Sequence, residues 1–250
     1  MVRRNRERQE QRINRGTFRP QTDERLNAPV PSLLLATDNV LLDLLPRTKV
    51  EIIVADHIKW RIFRTRDEIR AEDCADYNTA VFVDRHYRLA HLPRDSHHPL
   101  SRWPDPKIWQ ATPDFAEQIG APHNQIRITG TAGPHECVIL HLAGIYPSSL
   151  FIGDIYLANP RIIATRPMGR DQKFAGLGNG IFPDFLKRLT NLSRSLGFNT
   201  IRAHAVDSVR ASVFQKRGFV LDDLDPFLLQ AAVFNGCQIP LKIEMSSNPP

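Results

Sequence analysis

The sequence contains few cysteines and no long apolar run. Its three cysteines, Cys74, Cys137 and Cys237, are far apart and form no Cys-x-x-Cys pair, which argues against a disulfide framework and against a cysteine-based zinc site. No uninterrupted apolar segment approaches the roughly 20 residues of a membrane helix, and the N-terminus lacks the apolar core of a secretory signal. These absences predict a cytoplasmic protein with no membrane partner.

The excess of positive charge is concentrated at the N-terminus. The 250 residues carry a net charge of +6, and residues 1–25 contribute +4 of it through eight arginines and four acidic residues. Residues 1–31 have almost no apolar side chains and bury too little surface to offset the entropy of ordering. We therefore predict a flexible basic N-terminal arm over residues 1–31 and a single domain over residues 32–250. Nucleic-acid binding, an alternative function, would use only this arm.

Residue patterns in the first half of the domain predict short elements. The spacing of leucines predicts an amphipathic helix over Leu33–Leu45. Alternating or β-branched runs predict strands at Val50–Ala55, Ile58–Arg64 and Ala80–Asp84. Six prolines between residues 91 and 123 predict a segment rich in loops.

The second half of the domain has a clearer pattern. Apolar residues at helical spacing begin at Ile181, with Pro183 in the first turn and Gly197 as a stop. Asp207 or Ser208 can cap a second helix that runs through Arg217. The predicted strands are Glu136–Leu142, Leu150–Leu157, Thr200–Val206, Phe219–Leu221 and Gln238–Met245. Strands that alternate with helices in this way predict an α/β fold.

A glycine-rich stretch lies between the second of these strands and the first helix. Gly176, Gly178 and Gly180 leave room for close approach of a ligand, and a loop that opens a helix directs backbone N–H groups at phosphate. Arg170 and Lys173 add positive charge just upstream. Neither the G-x-x-x-x-G-K-[ST] nor the G-x-G-x-x-G pattern is present. The alternative is a turn that only packs the helix on the sheet.

Three segments together resemble one family. Lys173 to Gly178 (KFAGLG) resembles the [Q/R]-x-x-G-x-[G/A] pyrophosphate loop of the GNAT superfamily of acyl-CoA-dependent N-acyltransferases, with lysine in place of Gln or Arg. The strand end Asp154–Leu157 resembles the family's acidic-hydrophobic-aromatic-hydrophobic strand end. The run Asp207 to Phe219 resembles its N-x-x-A-x-x-x-Y-x-x-x-G-F helix. The resemblance covers about residues 150–245.

The resemblance implies a fold, a reaction and partners. The expected fold is a mixed, mostly antiparallel central sheet flanked by helices, with a CoA-binding core at about 150–245. The expected reaction is direct transfer of an acetyl or other acyl group from acyl-CoA to an amine on a small molecule or a protein. We expect no metal, because His91, His97 and His98 have no acidic partners at ligand spacing.

The resemblance also implies roles for individual residues. Asp154, at the strand end, and His204, on the neighbouring strand, are the candidate bases that deprotonate the amine; the alternatives are a salt-bridge residue and a partly buried structural histidine. Phe214 occupies the position of the tyrosine proposed to protonate the CoA thiolate, and a phenyl ring is no acid. The residues expected to bind acyl-CoA are Ile155, Tyr156, Leu157, Arg170, Lys173, Phe174, Ala175, Gly176, Leu177, Gly178, Asn179, Gly180, Asp207 and Phe214.

Two alternatives within the same fold remain. Glu72–Tyr77 and Ile108–Thr112 faintly resemble segments of acyl-homoserine-lactone synthases, which use an acyl carrier protein and S-adenosylmethionine, but Gln110 and Pro113 depart from that pattern. The second alternative is a fold that has lost catalysis and acts as a binding or regulatory module. Phe214 and the lack of an evident base favour it, whereas the glycine-rich stretch argues against it.

Overall fold

The computed structural model describes residues 29–45, 57–72, 74–90, 124–165, 180–222 and 238–245. Their strands form one sheet, and helices cover both of its faces. The strands are β1 (Ile58–Phe63), β2 (Gln125–Ala132), β3 (His135–Ile145), β4 (Ser149–Leu157), β5 (Thr200–Ala205), β6 (Val220–Leu221) and β7 (Ile239–Glu244). The helices are α1 (Asp38–Leu42), α2 (Arg66–Glu72), α3 (Cys74–Ala90), α4 (Pro160–Thr165), α5 (Ile181–Ser195) and α6 (Ser208–Gln215).

The strand order across the sheet is β1-β2-β3-β4-β5-β7-β6. Neighbouring strands are antiparallel except for β4 and β5, which are parallel. A parallel pair needs a crossover connection, and α4 and α5 lie in the chain between these two strands. The predicted mixed, mostly antiparallel sheet flanked by helices is therefore confirmed.

Helices α3 and α5 cover opposite faces of the sheet. On β4, Leu150 belongs to the large apolar core that includes Phe185 of α5. The next residue, Phe151, belongs to a smaller core with Val83 of α3. Because consecutive side chains of a strand point to opposite faces, the two helices must lie on opposite sides.

Helix α5 forms as its sequence predicts. Its apolar side chains recur at intervals of three and four residues, and they are buried along one face. Pro183 lies in the first turn, where its missing N–H costs no helical hydrogen bond. Gly197 follows the helix with a φ of +89°, a left-handed conformation that suits glycine.

The most informative correction concerns Ala80–Asp84, which is helical and not a strand. The segment lies inside α3, where the buried Ala80, Val83 and Tyr87 follow the three- and four-residue spacing of a helix face. Four apolar residues in a row, Ala80 to Val83, fit either structure, because so short a run does not distinguish a strand from a helix. Strand β2, Gln125–Ala132, was missed altogether.

Other boundaries differ in smaller ways. The helix expected over Leu33–Leu45 divides into a 3-10 turn at Leu33–Leu35 and α1, which begins after Thr37. The Thr37 hydroxyl accepts a hydrogen bond from the Val40 amide at 3.4 Å and so caps the second piece. Helix α4 occupies part of a polar stretch for which no element was predicted.

The remaining predicted strands and helices that fall on described residues are confirmed, with ends that shift by a few residues. The predicted strand Val50–Ala55, the proline-rich segment over 91–123 and residues 1–28 of the arm lie outside the described residues. The division into an arm and one domain stays a prediction. None of the helices in the described ranges has both the length and the hydropathy needed to cross a bilayer.

Candidate functional site

A break in the sheet between β4 and β5 creates the site. The two strands pair from Ser149 with Thr200 up to Ile152 with Ala203. Within the described residues, no further pair joins β4 to β5 beyond this point, although both strands continue. A bulge in β4 coincides with the break, because His141 of β3 opposes Asp154 whereas Leu142 opposes Ile152. Gly153 is thus the extra residue, and a bulge of this kind bends the strand that carries it.

A cavity of about 540 Å³ lies at this break and is lined from both faces of the sheet. On one face, α3 contributes Asp76 and Thr79. On the other face, α5 contributes Phe182, and α6 contributes apolar side chains that include Val209 and Phe214. The cavity therefore has polar side chains of α3 on one side and mainly apolar side chains of α5 and α6 on the other.

Asp154 and His204 both line this cavity, as their predicted shared role requires. Asp154 follows the bulge in β4, and one of its oxygens, Oδ1, accepts a hydrogen bond from the Ile155 amide at 2.8 Å. His204 is the first residue of β5 beyond the last pair with β4, and its ring meets that of Phe151 edge-on at 5.3 Å. The two side chains thus flank the open end of the break.

The cofactor-binding candidates on β4 divide between the cavity and the core. Ile155 lines the cavity. Tyr156 and Leu157 continue the strand with buried side chains, and burial raises the pKa of the Tyr156 hydroxyl. Their backbone, not their side chains, is therefore the part that can reach a ligand.

Two further candidates cap helices. Gly180 is the residue before α5, and its carbonyl accepts a hydrogen bond from the Asp184 amide at 3.2 Å. Asp207 caps α6: it accepts a hydrogen bond from the Arg210 amide at 2.7 Å and pairs with the Arg210 guanidinium. That backbone hydrogen bond is the main cause of the lowered pKa of Asp207. Neither residue is among those that line the cavity.

Phe214 forms part of an aromatic wall on the α6 side. Its ring lies edge-on to Phe182 at 5.0 Å and to Phe219 at 5.1 Å between centroids. This environment fixes the ring next to the cavity, and the side chain supplies no proton. The remaining predicted ligands of acyl-CoA, Arg170, Lys173, Phe174, Ala175, Gly176, Leu177, Gly178 and Asn179, lie outside the described residues.

Sequence reasoning missed a polar group on the α3 side of the cavity. Asp76 accepts a hydrogen bond from the Arg127 guanidinium at 2.7 Å, and its Oδ2 lies 4.0 Å from Nδ1 of His141. Nε2 of His141 lies 2.7 Å from Oε1 of Gln125. The alternation of polar and apolar residues from Gln125 to Thr129 was the available signal for β2, which carries two of these side chains.

A second buried ionic cluster fastens α3 to the sheet. Arg202 donates hydrogen bonds to Ser149 Oγ at 2.9 Å and to the Tyr87 hydroxyl at 3.0 Å. Asp222 accepts hydrogen bonds from both Arg202 and Tyr87. Burial raises the pKa of Tyr87, so its hydroxyl remains a hydrogen-bond donor across the physiological range. This cluster holds α3 against β4 and β5.

Across the described ranges, no three His, Cys, Asp or Glu side chains lie close enough together to hold a metal ion.

Comparisons with known proteins give matches in structure but not in sequence. No family model matches the chain, and no curated protein matches its sequence. Solved structures that match include the N-acetyltransferase PseH of Campylobacter jejuni, with 14% identity, a TM-score of 0.32 and coverage of 76% of this chain and 99% of the other. A GNAT-family acetyltransferase of Staphylococcus aureus has 10% identity, a TM-score of 0.34 and coverage of 75% and 100%. A Bacillus subtilis acetyltransferase in complex with CoA has 14% identity, a TM-score of 0.32 and coverage of 58% and 95%.

Proposed function

We propose that this protein is an acyl-CoA-dependent N-acyltransferase that transfers an acetyl or other acyl group directly to an amine. The observation that carries the proposal is the cavity at the break between β4 and β5, which is lined from both faces of the sheet. Two substrates that enter from opposite faces can meet there without competing for one entrance. Such an arrangement suits a direct transfer, because both reactants are held together at one point.

The side lined by α5 and α6 suits acyl-CoA. Val209, Val213 and Phe214 give it an apolar wall, against which the methylene groups of a pantetheine arm can pack. The backbone of β4 from Ile155 to Leu157 runs past the last pair with β5, so its polar groups on that edge can bond the amides of the arm. The glycine-rich stretch before α5, with Arg170 and Lys173, would bind the pyrophosphate.

The reaction requires the amine in its neutral form, because a protonated amine has no lone pair with which to attack. The neutral nitrogen attacks the thioester carbonyl carbon, a C–N bond forms, and the C–S bond then breaks to release the CoA thiolate. The proton lost by the nitrogen passes to a base and finally to the thiolate, giving an amide and a thiol. We propose His204 as this base, since imidazole titrates near neutral pH, and Asp154 as the alternative.

Two measurements test the proposal. The first is the heat of binding when acetyl-CoA is titrated into the wild type and into Gly178→Asp, which adds negative charge at the expected pyrophosphate site. Val220→Asp is the control, because Val220 is 55% exposed on β6 and does not line the cavity. We expect binding by the wild type and the control and weaker binding by Gly178→Asp. Equal binding by all three would overturn the role of the glycine-rich stretch.

The second measurement is thiol release from acetyl-CoA in the presence of a panel of amines. We expect the wild type to release thiol only when an amine is present, and we expect His204→Gln to lose this activity. A binding module without catalysis is the second candidate function, favoured by the phenyl ring of Phe214 at the cavity. Binding of acetyl-CoA without thiol release by any amine would support that candidate over the enzyme.

The alternative of an acyl-homoserine-lactone synthase stays a prediction. Glu72–Tyr77 spans the junction of α2 and α3, and Ile108–Thr112 lies outside the described residues. Thiol release that required an acyl carrier protein and S-adenosylmethionine would favour it.

A further inference from the structure

The cavity has different charge on its two sides. Asp76 of α3 and Asp154 of β4 line it together with His204, and Arg210 lines it from α6. Arg210 belongs to the opposite face from α3 and pairs there with Asp207. Asp154 opposes His141 in the register of β3 and β4, and His141 lies beside Asp76, so both carboxylates are on the side that α3 covers. The side that faces α6 is apolar with one cation.

Asp76 is held in place from behind. Arg127, on β2, donates a hydrogen bond to Asp76 Oδ2 at 2.7 Å, and its side chain is only 2% exposed. The Asp76 side chain keeps 17% of its surface exposed and lines the cavity. A buried guanidinium is costly unless its charge is paired. Its partner here is Asp76, which also lines the cavity.

Packing around the pair fixes it further. Arg127 and His141 are cross-strand neighbours on β2 and β3, so their side chains share the face that α3 covers. The His141 ring contacts the position where a Cβ at Gly153 would lie, and its Nδ1 is 4.0 Å from Asp76 Oδ2. Side chains on β2 and β3 thus hold the Asp76 carboxylate in one position, as a group that binds a ligand needs.

We propose that Asp76, positioned by Arg127, is the carboxylate that binds the acceptor, and that the acceptor is a cationic amine which enters from the α3 side. The proposal rests on the proposed function, since it assigns the second substrate of that site. An ammonium group of the acceptor donates a charge-assisted hydrogen bond to Asp76, while the amine that reacts loses its proton to the base. Asp154 adds to the attraction for positive charge. An acceptor with a carboxylate beside its amine is disfavoured by the same two groups.

The test must separate binding from stability. Asp76→Asn alone leaves the Arg127 charge buried without its counter-ion, so we expect it to destabilise the fold. The double variant Asp76→Asn/Arg127→Gln removes both charges together. Its matched control is Asp84→Asn/Arg88→Gln, because Asp84 and Arg88 form a buried pair at 2.7 Å on the same helix and do not line the cavity.

The measurements are steady-state thiol release and calorimetric binding of acetyl-CoA. In the wild type we expect 1,4-diaminobutane to be used with a lower KM than 2-phenylethylamine, and glycine to be used least. Asp76→Asn/Arg127→Gln should raise the KM for the diamine about 10- to 100-fold, as expected for one lost hydrogen bond between charged groups. The Kd for acetyl-CoA should stay the same, and the control should change neither value.

The contrary outcomes are distinct. The role of Asp76 would be overturned by a double variant that keeps the wild-type KM for the diamine. It would also be overturned by a wild type that prefers glycine, or that transfers to other amines but not to the diamine. Each of these results leaves the acyltransferase proposal standing. A wild type that neither binds acetyl-CoA nor releases thiol with any amine would overturn both proposals.

Discussion

Gly153 determines how β4 bends at the cavity, and its replacement by alanine gives a quantitative test. A Cβ at this position would lie 3.2 Å from Nδ1 and 3.3 Å from Cγ of His141, closer than most carbon contacts in folded proteins. His141 is fully buried and lies 2.7 Å from Gln125, so its ring has little freedom to move. The φ of Gly153 is not positive, which means that the backbone itself accepts alanine.

The expected cost follows from two opposing effects. Overpacking of a buried site costs about 1–3 kcal/mol, and the reduced freedom of the unfolded chain offsets about 0.4–1 kcal/mol of it. Gly153→Ala should therefore lower the free energy of unfolding by about 1–2 kcal/mol, measured by urea denaturation followed by circular dichroism. In a His141→Ala background the ring is absent, and Gly153→Ala should cost little or nothing.

This double-mutant cycle isolates the contact between the two residues. The same penalty in both backgrounds would show that the His141 ring is not the neighbour that a side chain at position 153 meets. A Gly153→Ala protein as stable as the wild type would refute the tight packing at the bulge.

Three further predictions concern the described core and the helix cap. Asp222→Ala should lower the free energy of unfolding by about 3–5 kcal/mol, because it leaves the buried Arg202 without its counter-ion. The control Asp38→Ala breaks an exposed pair and should lower it by only about 0–1 kcal/mol. Equal losses for the two variants in urea denaturation would contradict this prediction. Asp207→Ala should lower the Tm at pH 7, and Asn should restore most of the loss. The pKa of Asp207 is lowered in the fold, so its contribution is present above the unfolded-state pKa and disappears as the pH falls through the folded value; a Tm difference that does not shrink in acid would argue against it. The Cys137 thiol is buried, and its pKa is raised to about 11. Iodoacetamide at pH 8 should therefore leave it unmodified until urea is added, as measured by peptide mass spectrometry. Rapid labelling of Cys137 in the native protein would show that β3 packs differently.

The sequence predicted the second half of the domain better than the first. Helix α5 has a long apolar face, Pro183 in its first turn and Gly197 just after its end, so local pattern alone defines it. The segment Ala80–Asp84 was too short for its period to be read, and it became helical because Ala80, Val83 and Tyr87 pack together on the sheet. Local pattern fails where tertiary packing decides between two compatible structures.

The candidate site shows the same division. Asp154 and His204 could be predicted because each lies on a strand that is evident from its own residues. Asp76 could not, because its role depends on Arg127, 51 residues away, and on α3, of which only Ala80–Asp84 was predicted, as a strand. A contact between a helix and a strand so far apart in sequence depends on how α3 packs on the sheet, which local pattern does not encode.

Binding of acetyl-CoA at the break between β4 and β5 is the central claim, and one titration tests it directly. Val209 lines the cavity and is 71% exposed, so Val209→Asp adds negative charge there with little effect on the core. Val220→Asp, at an exposed position of β6 outside the cavity lining, is the control. Calorimetry should give the same Kd for the wild type and Val220→Asp and a Kd about tenfold higher or more for Val209→Asp, because a carboxylate that faces the methylene groups of the pantetheine arm loses its hydration. No binding by the wild type, or the same Kd for all three proteins, would contradict the account.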